Sequence, residues 1–328
     1  MNLAIVGATG LVGRTFLAVL LEREVKIDNL YLFASAKSKG MLVTFRGKDY
    51  IIDELTEDSF KLNKIDYALF SAGGDISKKF APIAAENGCI VIDNSSTWRM
   101  DETVPLVVPE VNPEDVKWHK GIIANPNCST IQAVITLSPL HSKYKIKRII
   151  YSTYQAVSGA GNEGIRDLER GMNGFESQKF SHQIYNNCIP QIDVFLDNGY
   201  TKEEMKMINE TKKILHDDDI KITSTAVRVP VFYSHSENIN LEFYNNFETS
   251  DIKNLLKNSK GIVVVDDIKN NQYPLAQKAT GTDKVYVGRI RRDESVENGL
   301  NLWVVADNIR KGAATNAVQI LELMLNNQ

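Results

Sequence analysis

Along the first 124 residues, apolar and polar positions fall into short blocks that read as strand, turn and helix in succession. Leu3-Ala-Ile-Val6 is a short apolar strand, and Phe16, Leu17, Val19 and Leu20 then recur at helical spacing. Leu30–Ala34, Ile65–Phe70, Cys89–Asp93 and the short run Gly121–Ala124 supply further strands, with a helix running through Ala81 to Glu86. Ile131, Val134, Ile135 and Leu137 then give a helix one apolar face. Strands alternating with helices predict a doubly wound parallel sheet. From Lys147 the pattern changes. β-rich runs cover Lys147–Tyr154, Lys221–Val229, Ile239–Phe243, Gly261–Val265, Val285–Arg291 and Leu300–Ala306, with helical spacing near Glu163–Arg170, Lys202–His216 and Ile252–Lys257. This predicts a second domain with a mixed or antiparallel sheet. A last helix rich in Ala and Leu, from about Lys311 to Leu325, is expected to return to the first domain.

Composition adds limits. A chain of 328 residues is too long for one ordinary core and suggests two domains. Hydrophobic content of 43% and charged content of 24% are those of a soluble globular protein. Lys+Arg 38 against Asp+Glu 41 gives a formal charge of −3, which argues against a nucleic-acid or membrane-surface partner. No apolar run is long enough to span a bilayer, and Met1-Asn2 leads straight into a strand, so no leader is expected. Three cysteines far apart in sequence fit a reducing cytoplasm rather than a disulfide framework.

The first strand-to-helix turn is Gly7-Ala-Thr9-Gly10-Leu11-Val12-Gly13. Strand, glycine turn and helix are the context a dinucleotide site requires: Gly7 for the tight turn, Gly10 for backbone approach to a pyrophosphate, and Gly13 for close helix packing. The spacing is G-x-x-G-x-x-G, so an ordinary turn remains the alternative. At the end of the second strand, where an NAD site usually carries an acid, the chain offers Ser35, Lys37, Ser38 and Lys39. These suit a 2′-phosphate, which points to NADP, with a solvated basic turn as the alternative. Ser71-Ala72-Gly73-Gly74 follows the next strand and lets backbone lie against a cofactor. The fold class expected is α/β: an N-terminal Rossmann-like doubly wound parallel sheet over residues 1–127, completed by a C-terminal helix 311–328, and a second α+β domain over 128–310 carrying a mixed or antiparallel sheet.

Cys128, in Asn125-Pro-Asn127-Cys-Ser-Thr130, stands at the start of the helix that follows. The positive end of a helix favours thiolate, although a cysteine is as readily a small buried hydrophobe. Arg99, near a strand's C-terminal end, is either an anion clamp or a surface charge. Glu210 and Lys213 share a helix face, as a surface ion pair also would. Arg228 lies in the otherwise apolar strand Thr225–Val231 and needs a partner there. His235 follows in a polar turn, and histidine is the side chain suited to acid and base work near neutrality. No His or Cys spacing suits a metal.

Together, Gly7–Gly13, Ser71–Gly73, Asn94-Ser-Ser96 with Arg99, Asn125–Thr130, Tyr154-Gln-Ala-Val-Ser158-Gly159, Arg228-Val-Pro-Val231 with His235, and Asp307-Asn308 with Lys311-Gly312 resemble the aspartate-semialdehyde dehydrogenase family, in order and over essentially the whole chain. The cysteine block is specific; the glycine turn is not. Lys37 stands where many bacterial members carry arginine; the lysine keeps the charge but gives up bidentate geometry. The resemblance implies NADPH-dependent reduction of aspartyl phosphate to aspartate semialdehyde with release of phosphate, in biosynthesis of lysine through diaminopimelate, methionine and threonine. It implies Cys128 as nucleophile, His235 as acid–base residue and Gln155 as an orienting group. It also assigns Arg99, Asn127 and Lys213 to phosphate, Arg228 to the substrate carboxylate and Glu210 to its ammonium. The cofactor residues it implies are Gly7, Thr9, Gly10, Leu11, Val12, Gly13, Ser35, Lys37, Ser38, Ser71, Ala72, Gly73, Ser158, Gly159 and Asn308. A cytoplasmic homodimer is expected.

Three other functions use parts of this set. N-acetyl-glutamyl-phosphate reductase shares the cysteine, histidine and acyl phosphate, but an acylated amine has no need of Glu210. A thiol hydrolase leaves the glycine turn unused. A non-catalytic NADP-binding protein leaves Cys128 dispensable.

Overall fold

A computed structural model describes residues 1–326. In chain order its elements are β1 Asn2–Val6, α1 Leu11–Glu22, β2 Asn29–Ala34, β3 Leu42–Phe45, β4 Lys48–Glu54, α2 Ser59–Leu62, β5 Tyr67–Phe70, α3 Gly74–Glu86, β6 Ile90–Asp93 and β7 Ile122–Ala124. Then follow α4 Cys128–Tyr144, β8 Ile146–Gln155, α5 Gly161–Met172, α6 Lys202–Leu215, β9 Lys221–Arg228, β10 His235–Phe243, α7 Thr249–Lys257, β11 Ile262–Val264, α8 Ala276–Ala279, β12 Val285–Asp293, β13 Gly299–Ala306 and α9 Thr315–Asn326. The chain forms two compact units, Met1–Pro126 together with the chain from Ala313 onward, and Asn127–Gly312. The first break therefore falls one residue earlier than the pattern suggested, and residues 311 and 312 go to the second unit. Hydrogen bonding explains both. Asn127 is tied to α6 through Glu203 and Glu210, and the Gly312 N–H donates to the Asp307 carbonyl.

In the first unit a seven-stranded sheet has the order β3-β4-β2-β1-β5-β6-β7. Every pairing is parallel except the β3–β4 hairpin at the edge. That hairpin has no counterpart in the apolar pattern, because its apolar side chains Leu42 and Ile51 point outward. The central strands are Leu3–Val6 and Tyr67–Phe70, all but inaccessible to solvent, as parallel strands covered on both faces must be. Helix α9 packs on α1, so the last helix belongs to this unit.

The second unit is built on a six-stranded sheet, β11-β12-β13-β10-β8-β9, parallel at β8–β9 and β11–β12 and antiparallel between. Helix α4 lies against β8, β10, β12 and β13. Strand β10 alternates: His235, Glu237, Ile239, Leu241 and Phe243 are buried, and the residues between them are half-buried. The sequence gives α4 one apolar face, yet Ser129, Thr130, Gln132 and Thr136 are buried as well. The helix is enclosed nearly all round by this unit, with α6 and α7 also packed on it.

Gly13 shows why α1 starts where it does. A Cβ there would lie 2.2 Å from the Gly7 carbonyl oxygen, a backbone atom with little freedom to move. Gly13→Ala is therefore expected to lower stability by about 1–2 kcal/mol, the overlap outweighing the helical preference of alanine. Gly10→Ala, whose Cβ would sit 3.3 Å from the same oxygen, should cost less. Urea unfolding of the two variants tests this; equal midpoints would mean the turn relaxes.

Candidate active site

In the first unit the glycine turn forms one wall of a cavity of about 350 Å³, lined also by Thr9, Ser35, Glu54, Ser71 and Ala72. Gly7 has φ +90°, and a Cβ on it would fall 2.9 Å from the Ser71 carbonyl carbon. The cradle is thus shaped by the chain passing from β5 into α3. Gly10 caps α1 without a side-chain acceptor, so the first-turn N–H groups of Leu11, Val12 and Gly13 are left for an anion. This fits a dinucleotide phosphate. Lys37 is exposed and Ser38 half-buried on the 3₁₀ turn that follows β2, while Gly73 precedes α3. Lys39 reaches toward Glu54, at 3.8 Å. Glu54 is an acid on the cavity wall that the pattern of strands did not single out. Arg99, also in this unit, is buried, donating from Nε to the Asn125 carbonyl at 3.0 Å and from Nη2 to the Asn94 carbonyl at 2.7 Å.

The second unit assembles most of the remaining residues. Cys128 is the first residue of α4 and is half-buried. Asn127 caps the helix, its Oδ1 accepting from the Ser129 and Thr130 N–H groups at 3.0 and 3.3 Å. Its backbone N–H donates to Glu210 Oε2 at 2.7 Å, and its amide Nδ2 donates to Glu203 Oε1 at 2.8 Å. Lys213 follows Glu210 by one turn of α6 and is half-buried. Gly312 lies against the cysteine: a Cβ there would be 2.9 Å from Cys128 Cβ.

Arg228 ends β9, buried, with Nη1 donating to the Ala156 carbonyl at 2.8 Å and the guanidinium 5.8 Å from the Phe180 ring centroid. Burial lowers its pKa, partly offset by the charges of Glu203 and Cys128. His235 is fully buried. Its Nδ1 accepts from the Ala156 N–H at 3.0 Å, which assigns the proton of the neutral ring to Nε2. Burial, with the nearby Arg228 charge, holds its pKa well below the usual histidine range. Nε2 has no partner among the described residues and sits beside Gly159, where a Cβ would lie 3.3 Å from it and 2.8 Å from Arg228 Nη1. Glycine at 159 keeps this space open. Gln155 directs Nε2 to Glu203 Oε1 and to Thr153 Oγ1, both at 3.2 Å. Ser158 and Asn308 bond each other, and Asn308 Oδ1 also accepts from the Ser234 N–H. Among the described residues no cluster of His, Cys, Asp or Glu could hold a metal.

Two acids escaped sequence reasoning. Glu203 looks like any first-turn acid of a helix. Glu237, two residues after His235 on the same face of β10, is fully buried, and among the described residues neither carboxyl oxygen has a partner in hydrogen-bond geometry. Burial raises its pKa well above 4.5, Gln132 and Ser129 beside it offset this in part, and Glu203 adds to it. Burial thus favours the protonated form of Glu237 in the folded chain. In the unfolded chain it ionises above about pH 4.5. The unfolded state then holds fewer protons, so this group's stabilisation is full below that pH and is lost as pH rises. Glu237→Gln keeps the shape without the titration, and it should match the parent at pH 4 and exceed it at pH 7. A variant equally displaced at both pH values would show that Glu237 is charged in the folded state.

Residues 2–119 match the family model described as semialdehyde dehydrogenase, NAD binding domain, and residues 137–311 the one described as semialdehyde dehydrogenase, dimerisation domain. The chain is 57% identical to aspartate-semialdehyde dehydrogenase of Aquifex aeolicus, over 99% of this chain and 98% of that one. The crystal structure of aspartate semialdehyde dehydrogenase II from Vibrio cholerae complexed with ASA matches with TM-score 0.95 and 49% identity, covering 99% of this chain and 98% of that one. The Candida albicans enzyme with NADP matches with TM-score 0.78 and 26% identity, over 98% of each chain. With the cysteine at a helix start, the glycine cradle and the two-unit fold in place, these likenesses set the chain in the aspartate-semialdehyde dehydrogenase family of oxidoreductases.

Proposed function

We propose that the protein reduces L-aspartyl 4-phosphate to L-aspartate 4-semialdehyde with NADPH, through a thioacyl intermediate on Cys128. The observation that carries this is the setting of the sulfur: the first residue of α4, within reach of the Arg228 charge. The helix start and the guanidinium both favour thiolate. The thiolate attacks the acyl carbon, and the bond from that carbon to the phosphate oxygen breaks with its electron pair leaving on phosphate. Bound nicotinamide supplies the hydride that reduces the thioester. The hemithioacetal oxyanion then collapses, breaking the C–S bond and restoring the thiolate. The one proton that the net reaction consumes ends on the released phosphate.

Sulfur enters and leaves as thiolate, so no step requires His235 to take a proton from it. With Nδ1 committed to the Ala156 N–H, the acid–base role narrows to donation from Nε2 toward the developing oxyanion. Gln155 helps to orient the reacting carbonyl or the catalytic groups. Arg228, on a strand, suits the carboxylate, and Glu210 the ammonium. Arg99 and Lys213 bind phosphate, with Asn127 adding the amide N–H that Glu203 does not take. The same reading assigns Ser158, Gly159 and Asn308 to the cofactor. The finer assignments follow the same reading: NADP over NAD through Ser35, Lys37 and Ser38, a homodimer through the second unit, a cytoplasmic location, and supply of lysine (through diaminopimelate), methionine and threonine synthesis. The Vibrio relative complexed with ASA and the Candida relative with NADP support the substrate and cofactor classes.

The test is a phosphate-dependent assay of NADPH formation from aspartate semialdehyde. The parent should turn over. Cys128→Ala should lose turnover while NADP binding stays largely intact, and wild-type rates in that variant would remove the covalent route. For the cofactor, Lys37→Ala should weaken NADP by about 1.5–3 kcal/mol, one to two decades, if it loses a charge-assisted hydrogen bond. NAD affinity should barely change. Equal weakening of both nucleotides would place the lysine at the pyrophosphate instead.

A further inference from the structure

Two amides that the proposed reaction uses, on Asn127 and Gln155, turn their NH₂ groups toward one carboxylate oxygen. Glu203 Oε1 accepts from Asn127 Nδ2 at 2.8 Å and from Gln155 Nε2 at 3.2 Å. Its second oxygen accepts from Lys206 Nζ at 3.1 Å, and Lys206 also reaches Asp193 Oδ2 at 3.1 Å. Glu203 comes from the first turn of α6, is 5% exposed, and touches both the helix that begins with Cys128 and the end of β8.

An amide side chain can be turned end for end at little steric cost, and only its partners decide which end is oxygen. A carboxylate accepts and does not donate. Facing Glu203 therefore forces both amides to present nitrogen to it. For Asn127 this leaves Oδ1 directed at the Ser129 and Thr130 N–H groups, the cap on the helix that carries Cys128. For Gln155, whose nitrogen is also bound by Thr153, it leaves Oε1 as the end available to other groups. Burial alone would discharge Glu203, but the Lys206 charge and the amide hydrogen bonds outweigh it and hold the pKa below the usual value.

We propose that Glu203 is a positioning residue for the reaction: one carboxylate fixes the rotation of both the Asn127 and Gln155 amides around Cys128. This rests on the reading that Cys128 is the nucleophile and Gln155 orients the catalytic groups around it. No glutamine can replace the carboxylate. With its oxygen toward the two amides its NH₂ meets Lys206, and turned the other way it meets two NH₂ groups.

Glu203→Gln should lower kcat/KM for aspartate semialdehyde by about 10- to 100-fold, the scale of a reacting group misplaced by up to an ångström. KM for NADP should stay near that of the parent. In a Gln155→Ala background the same substitution should cost much less, because its effect passes through the lost amide. Wild-type kcat/KM in Glu203→Gln, or losses that multiply in the double variant, would overturn the proposal. Should Glu203→Gln fail to fold, side-chain amide exchange in the ¹⁵N-labelled parent decides. Slow exchange of the Asn127 and Gln155 NH₂ protons is expected, and fast exchange of both would overturn it. A parent that does not turn over aspartate semialdehyde would defeat the proposed function instead, while the amide measurement still tests Glu203.

Discussion

Asn127 is the constraint on which the second unit's chemistry depends. It caps α4 with its side-chain oxygen, gives its backbone N–H to Glu210 and its amide nitrogen to Glu203. An N-cap of this kind contributes about 1 kcal/mol in ordinary helices. Here it does more than stabilise a helix end, because the next residue is Cys128. Whatever moves Asn127 moves the sulfur, and two carboxylates from α6 hold it. The helix is then enclosed by sheet, α6 and α7, so its start cannot drift without disturbing a close-packed interior.

How much of this was legible depends on how local each constraint is. The glycine turn was readable because Gly7 and Gly13 answer to backbone atoms within a few residues or in the neighbouring strand. Arg228 was readable for the opposite reason: a charge in an apolar strand demands a partner, and the structure gives it the Ala156 carbonyl, the Phe180 ring and the field of Glu203. The β3–β4 hairpin was not readable. Its turn at Arg46-Gly47 places two successive residues at positive φ, and its exposed Leu42 and Ile51 reverse the usual sense of apolar positions. Glu203 was hidden by a better-known explanation. It stands beside Glu204, which forms a capping box with Thr201, so an acid in that turn looked already accounted for. The enclosure of α4 was invisible because Ser129, Thr130, Gln132 and Thr136 are buried by what surrounds them, not by their own polarity.

The two buried acids near the cysteine helix show how one environment assigns opposite charge states. Glu203 and Glu237 are both sealed from solvent, and burial pushes both toward the neutral form. Glu203 has Lys206 and two amide donors, so its charge is met on each oxygen. Among the described residues Glu237 has no donor in hydrogen-bond geometry, and the negative charge on Glu203 raises the cost of ionising it further. The outcome is one acid held toward its anion and one pushed toward its neutral form. That division suits the proposed nucleophile, a thiolate on Cys128. A second negative charge beneath α4 would oppose the thiolate, whereas a protonated Glu237 adds none, and the single charge of Glu203 is already balanced by Lys206 on its far side. The hydrogen bonds that steady the Asn127 and Gln155 amides on Glu203 thus also favour its charged form, so geometry and electrostatics at this site are set by the same few contacts.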